Sequence, residues 1–153
     1  MIQDEAFIRK WFNSVEKFLK DSSGKEAERF LSYCAEGCSK SYSLAVYQNA
    51  FIKGGNLEES LQILAQSFDD FAYKIHPDKI EISYSRCGCD LKREEFMRSD
   101  YLCKCSELSL QYNWSSVFGA KNVRVEMIHS IIGGGKKCLF EVRVRQLGHA
   151  FDT

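Results

Sequence analysis

The hydrophobic period of this chain changes at His76-Pro77, and that change restricts what it can fold into. Before it, apolar residues recur every three or four positions, as on one face of a helix. After it they alternate, as on one face of a strand. Phe7, Ile8, Trp11, Phe12, Val15, Phe18 and Leu19 give a broad apolar face to a helix over residues 4–20. Ser23-Gly24-Lys25-Glu26 has the Ser-x-x-Glu spacing of a capping box and opens a second helix. Ala27, Phe30, Leu31, Cys34 and Cys38 form the stripe of that helix. A third helix over 42–52 stops at Gly54-Gly55, where a left-handed cap is easy. Asn56 caps a fourth, whose stripe runs through Leu57, Leu61, Leu64, Ala65, Phe68, Phe71 and Ala72. None of the four is apolar all round, so each needs a partner to cover its stripe.

From Lys79 onward Ile80, Ile82 and Tyr84 alternate with Glu81, Ser83 and Ser85, and Cys87 and Cys89 continue the polar parity. Residues 92–99 lack a period and read as a loop or short turn. Tyr101 to Phe118 reads as a helix with Leu102, Cys105, Leu108, Tyr112 and Val117 facing inward, closed by Gly119. Strands over 123–132 and 137–145 complete the chain. With Gly133-Gly134 as a two-residue turn, Val123 meets Val144, Val125 meets Val142, Met127 meets Phe140 and His129 meets Cys138. A slip of one residue would set Met127 against Glu141 and Val125 against Arg143, so burial selects the first register. The expectation is an α+β fold: an N-terminal layer of three to four helices packed on a C-terminal antiparallel sheet with one crossing helix. At 153 residues this is a single domain over 1–153, helical over 1–76 and strand-strand-helix-strand-strand over 79–145.

Lys plus Arg and Asp plus Glu are equal at 21 each, which leaves no net field for nucleic acid or an anionic membrane, and neither is expected as a partner. The polar start Met1-Ile2-Gln3-Asp4-Glu5 and the absence of an apolar run near ~18 residues point to a cytoplasmic location. Seven cysteines, an odd number, then read as reduced thiols or metal ligands rather than a disulfide framework.

Four of the seven crowd into Cys87-Gly88-Cys89 and Cys103-Lys104-Cys105. Four thiolates from two elements suit tetrahedral zinc, although structural zinc sites favour wider spacing within each pair. Reactive thiols and ordinary packing are the other readings of the same four. A helix start lowers a thiol pKa, which marks Cys103 as the thiolate of the second pair. Cys34 and Cys38, at i and i+4, share a helix face and could complete or replace one pair, with apolar filling as their plainer role. Cys138 beside His129 suggests a nucleophile and its base, set against a packed, hydrogen-bonded histidine. His76 and His149 are expected to face solvent. Gly133-Gly134-Gly135 precedes no helix, so it reads as a hairpin turn and not a phosphate loop.

One resemblance adds to this. Leu102-Cys103-Lys104-Cys105-Ser106, Val117-Phe118-Gly119, Val123-Arg124-Val125-Glu126 and the run from Ser130-Ile131-Ile132-Gly133 to Cys138-Leu139-Phe140-Glu141-Val142 resemble the C-terminal half of the 4-vinyl reductase-like, hydrocarbon-binding domains. They also resemble the related L-2-amino-thiazoline-4-carboxylic acid hydrolase family. The resemblance covers roughly Tyr84 to Val144. Lys136-Lys137 stands where an acidic residue is usual, and His129 where Glu is expected. It implies a small sensor-like α+β domain with a pocket for a small apolar or mixed-polarity ligand near Met127, His129 and Phe140. A metal nearby, pairing of two copies through their helices and, by the family name, a cysteine-dependent hydrolase activity on a cyclic amide or thiazoline are its further implications.

Overall fold

The computed structural model describes residues 4–151, so Met1-Ile2-Gln3 of the polar start lies outside the described residues. Four helices come first: α1 (Glu5–Asp21), α2 (Gly24–Ser41), α3 (Ser43–Lys53) and α4 (Leu57–Ser67). The strands β1 (Phe71–Ile75) and β2 (Ile80–Tyr84), the short helix α5 (Asp90–Arg93), the long helix α6 (Tyr101–Phe118) and the strands β3 (Val123–His129) and β4 (Cys138–Val144) follow. Three helix starts follow the capping chemistry, those of α1, α2 and α4. Asp4 accepts from the Ala6 amide at 2.9 Å, Ser23 from Glu26 at 3.1 Å and Asn56 from Glu59 at 2.9 Å. Glu59 reaches back to accept from the Gly55 amide at 2.6 Å, one residue before the Asn56 cap, in a variation on the capping box. Gly54, where α3 ends, is not left-handed: its φ is −72°.

The sheet is fully antiparallel in the order β1-β2-β4-β3. Its inner face packs on α3, α4 and α6 around Trp114, which is 0% exposed. Trp114 stacks on Phe118 at 5.8 Å and meets Tyr47 and Phe51 edge-on at 6.2 and 5.3 Å. A second apolar cluster is built from Leu19, Ala27, Leu31, Met97 and Leu102, where α1, α2 and the start of α6 meet. The fold is thus the expected α+β arrangement, with α6 packed against both the sheet and the N-terminal helices.

Several local expectations need correction. α4 ends at Ser67, and Phe71 begins β1 instead of continuing the helical stripe. In that strand Phe71 is buried while Ala72 is exposed, and alternation gives the burial that a fifth helical turn would have given. Pro77 lies in the β1–β2 turn, closed by the His76 amide on the Lys79 carbonyl at 2.9 Å. Cys87 to Cys89 is coil, not strand. Residues 130–137 form a wider turn than the two-residue hairpin, so β3 stops at His129 and β4 starts at Cys138. The pairs Val123–Val144, Val125–Val142 and Met127–Phe140 stand as registered, but a bulge after Met127 sets His129 opposite Leu139 instead of Cys138. Within α6, Cys103, Leu110, Asn113 and Trp114 are buried besides Leu102, because the helix is covered on two sides rather than along one stripe. His149 is 6% exposed, its Nδ1 accepting from the Val144 amide at 3.2 Å, and His76 is half-buried beside Glu81 at 3.4 Å.

Candidate metal centre

All seven cysteines are free thiols. They come from four stretches: α2, the coil after β2, α6 and the first residue of β4. Helix α6 decides how they are shared. Residues two apart on a helix project about 200° from each other, so Cys103 and Cys105 leave on opposite sides. Cys103, 5% exposed, is near enough to Cys138 and Cys87 that ionising either would oppose its own ionisation. Cys105 stands in the same relation to Cys38, Cys34 and Cys89. The two CxC pairs therefore do not gather as one set of four; each contributes one thiol to each side of α6.

The first set, Cys87, Cys103 and Cys138, lies against the turn 130–137. The backbone of that turn folds tightly on itself, with the Gly134 amide on the Ile131 carbonyl at 3.0 Å and the Gly135 amide on the Ser130 carbonyl at 2.8 Å. Gly134 has φ +95°, a conformation that side chains rarely adopt. At Gly135 an added Cβ would stand 2.8 Å from the Ser130 carbonyl oxygen, so close approach of the backbone excludes a side chain there. The fold of the turn aims donors at sulfur. The Ile131 amide donates to Cys138 Sγ at 3.5 Å, and the buried Ser130 hydroxyl lies on the side of Cys103, where it favours the ionised thiol. The same hydroxyl accepts from the Gly133 amide at 3.0 Å.

Electrostatics argue against a free nucleophile. Burial pushes the Cys34, Cys38, Cys103, Cys105 and Cys138 thiols up, Cys105 to about 12, and neighbouring sulfurs add to the effect at Cys38, Cys103, Cys105 and Cys138. At Cys103 burial outweighs the start of the helix, so this thiol is not the ready thiolate that its position in sequence suggests. His129 is exposed and its Nδ1 lies 3.0 Å from the Lys137 carbonyl, which accepts its proton. It is thereby engaged with backbone and not with Cys138.

Met127 and Phe140 belong to the sheet–helix core, Phe140 buried at 3% exposure. Tyr47, Phe51, Trp114 and Phe118 occupy the space between that sheet face and the helices. The best-formed depressions lie elsewhere: a groove of about 280 Å³ between α2 and the start of α6, and one of about 580 Å³ between α1 and the start of α6. As the side chains stand, no three His, Cys, Asp or Glu among the described residues are close enough together to hold a metal ion. No helix among the described residues is long and apolar enough to cross a membrane.

Sequence reasoning did not foresee the side chains that support the site. Gln111 of α6 accepts from the Val125 amide at 2.7 Å and donates to the Val123 carbonyl at 2.8 Å, while Glu107 accepts from the Met127 amide at 2.8 Å. They pair the free edge of β3 and fix the strand that leads into the turn. The four-residue spacing of Glu107 and Gln111 on α6 was the available signal. In comparisons with known proteins, the chain matches no family model and no curated protein.

Proposed function

We propose that this chain is a metal-binding domain of the regulatory, sensor-like kind, in which Cys87, Cys103 and Cys138 hold a thiophilic ion such as zinc. One observation carries the reading: the turn 130–137 directs an amide and a hydroxyl to the sulfurs of two cysteines that come from different elements. Donors of this kind orient thiolate ligands and offset their charge. The chemistry of the set fits the ion. Thiols that raise one another's pKa resist ionising alone, and a bound cation reverses that balance and deprotonates a coordinating thiol.

Three protein thiolates leave a fourth position of tetrahedral zinc open to water or to a small ligand. On this reading a small molecule is sensed at the ion, since the sheet–helix interface is already filled by aromatic side chains. The ligand set requires reduced cysteines, which fits a reducing compartment such as the cytoplasm. The test is alkylation of the reduced chain with and without zinc, mapped by peptide mass spectrometry. Zinc should slow modification of Cys87, Cys103 and Cys138 together. Equal modification of these three with and without zinc would overturn the reading.

A further inference from the structure

The first thiol set leaves four cysteines without a role, and all four lie on the other side of α6. Cys34 and Cys38 stand one turn apart on α2 and both are exposed. Helices α2 and α6 run side by side in the same direction. At their starts Ala27, Glu28 and Leu31 line one groove with Tyr101 and Lys104. Farther along, Ser39 Oγ lies 2.6 Å from Ser109 Oγ, and the Asn113 amide group donates to Ser43 at 2.9 Å. Cys105 falls between these two levels, beside the turn of α2 that carries Cys34 and Cys38.

Cys89 approaches from the third side. It caps α5 and packs, with Leu91 and Cys105, on the cluster that contains Leu31. The four thiols are near enough for the ionisation of one to oppose that of its neighbours: Cys34, Cys38 and Cys89 act on Cys105, and Cys89 on Cys38. Asp90 also bears on Cys38. Two helices and a coil thus present four thiols to one region, from chain segments separated by as many as 71 residues.

We infer that Cys34, Cys38, Cys89 and Cys105 form a second, four-thiolate site for a zinc-like divalent ion, which staples the α5 segment to the α2–α6 pair. Four cysteine ligands make a closed tetrahedral site of the structural type, unlike the three-ligand set on the opposite side of α6. Binding requires the sulfurs to draw in to bonds of about 2.3 Å and releases protons from the thiols. The parts that must move are free to do so. Cys34 and Cys38 are exposed side chains, Cys89 follows coil, and nothing lies within 4 Å of a Cβ built at Gly88. The ion would give the coil between β2 and α5 the cross-link that its irregular backbone does not provide.

The test uses the full reduced chain, freed of metal and titrated with Co²⁺, whose absorption reports both thiolate ligation and tetrahedral geometry. Cys34→Ser with Cys38→Ser removes two exposed ligands without disturbing either core, and Cys138→Ser removes one ligand of the other set. The inference predicts two Co²⁺ equivalents with tetrahedral thiolate absorption in the parent, one of which remains in Cys138→Ser as a four-thiolate spectrum while the α2 double variant keeps only the weaker three-thiolate spectrum. It also predicts that Zn²⁺ displaces the Co²⁺ and shields Cys34, Cys38, Cys89 and Cys105 from alkylation. If the spectrum survives in the α2 double variant and is lost in Cys138→Ser, the inference is overturned while the three-thiol site stands. If no thiolate spectrum forms in any of the three proteins, both fall.

Discussion

Gln111→Leu is the sharpest test of how α6 holds the sheet edge that leads to the thiols. Leucine keeps most of the packing volume and removes both hydrogen bonds that Gln111 makes to β3, at 2.7 and 2.8 Å. Val125 and Val123 are 8% and 4% exposed, so the amide of one and the carbonyl of the other lose partners at a nearly buried edge. Each such orphaned group costs about 1–3 kcal/mol. β3 is the edge strand, and water can reach it in part once the side chain is gone, so about 2–4 kcal/mol is expected for the pair. That is a large share of the about 5–15 kcal/mol that holds a domain together. Urea denaturation of the variant and the parent gives the difference directly, and amide exchange at Val125 should rise with it. A change under about 0.5 kcal/mol, with unaltered protection at Val125, would refute the argument from orphaned groups.

Further outcomes follow from particular residues. His149 is held in its neutral form by burial, which lowers its pKa below the ordinary histidine value of about 6.5, and by the Val144 amide that donates to its Nδ1. Its contribution to stability should be full above that value and be lost as the pH falls toward the depressed folded value. Denaturation midpoints at several pH values should show the slope, and His149→Asn should remove it. Gly134→Ala places a side chain at φ +95° and should cost about 1–3 kcal/mol, measured by thermal melting. Gly135→Ala should be no milder, because the new Cβ would crowd the Ser130 carbonyl oxygen. Ser130→Ala should keep all three thiols of the first set yet weaken zinc binding severalfold in a competition titration, since Cys103 loses its hydroxyl donor.

The architecture was legible because burial imposes period. Three of the four cross-strand pairs of the last hairpin followed from the alternation of Val123, Val125 and Met127 against Phe140, Val142 and Val144. The fourth failed at His129, where a bulge changes the parity without leaving a mark in hydrophobicity. Phe71 was misplaced for another reason: three residues after Phe68 it continues the helical stripe, and β1 sets only Phe71 and Tyr73 against the core, too short a run to reveal a period of two. The functional site was legible as a set of residue types and not as an arrangement. The cysteines stood out by count, but their division across α6 depends on the helix turning Cys103 and Cys105 apart. Neither that division nor the donors from Ser130 and Ile131 could be read until the turn and α6 were placed together.

The central claim is that these thiols serve as metal ligands. Native mass spectrometry of the chain, purified under reducing conditions without added metal, tests it most directly. The account predicts a mass increased by bound zinc or a similar ion that is lost on acidification, with the freed thiols then open to alkylation. A metal-free mass that stays unchanged after incubation with zinc, with all seven thiols reacting alike, would contradict it.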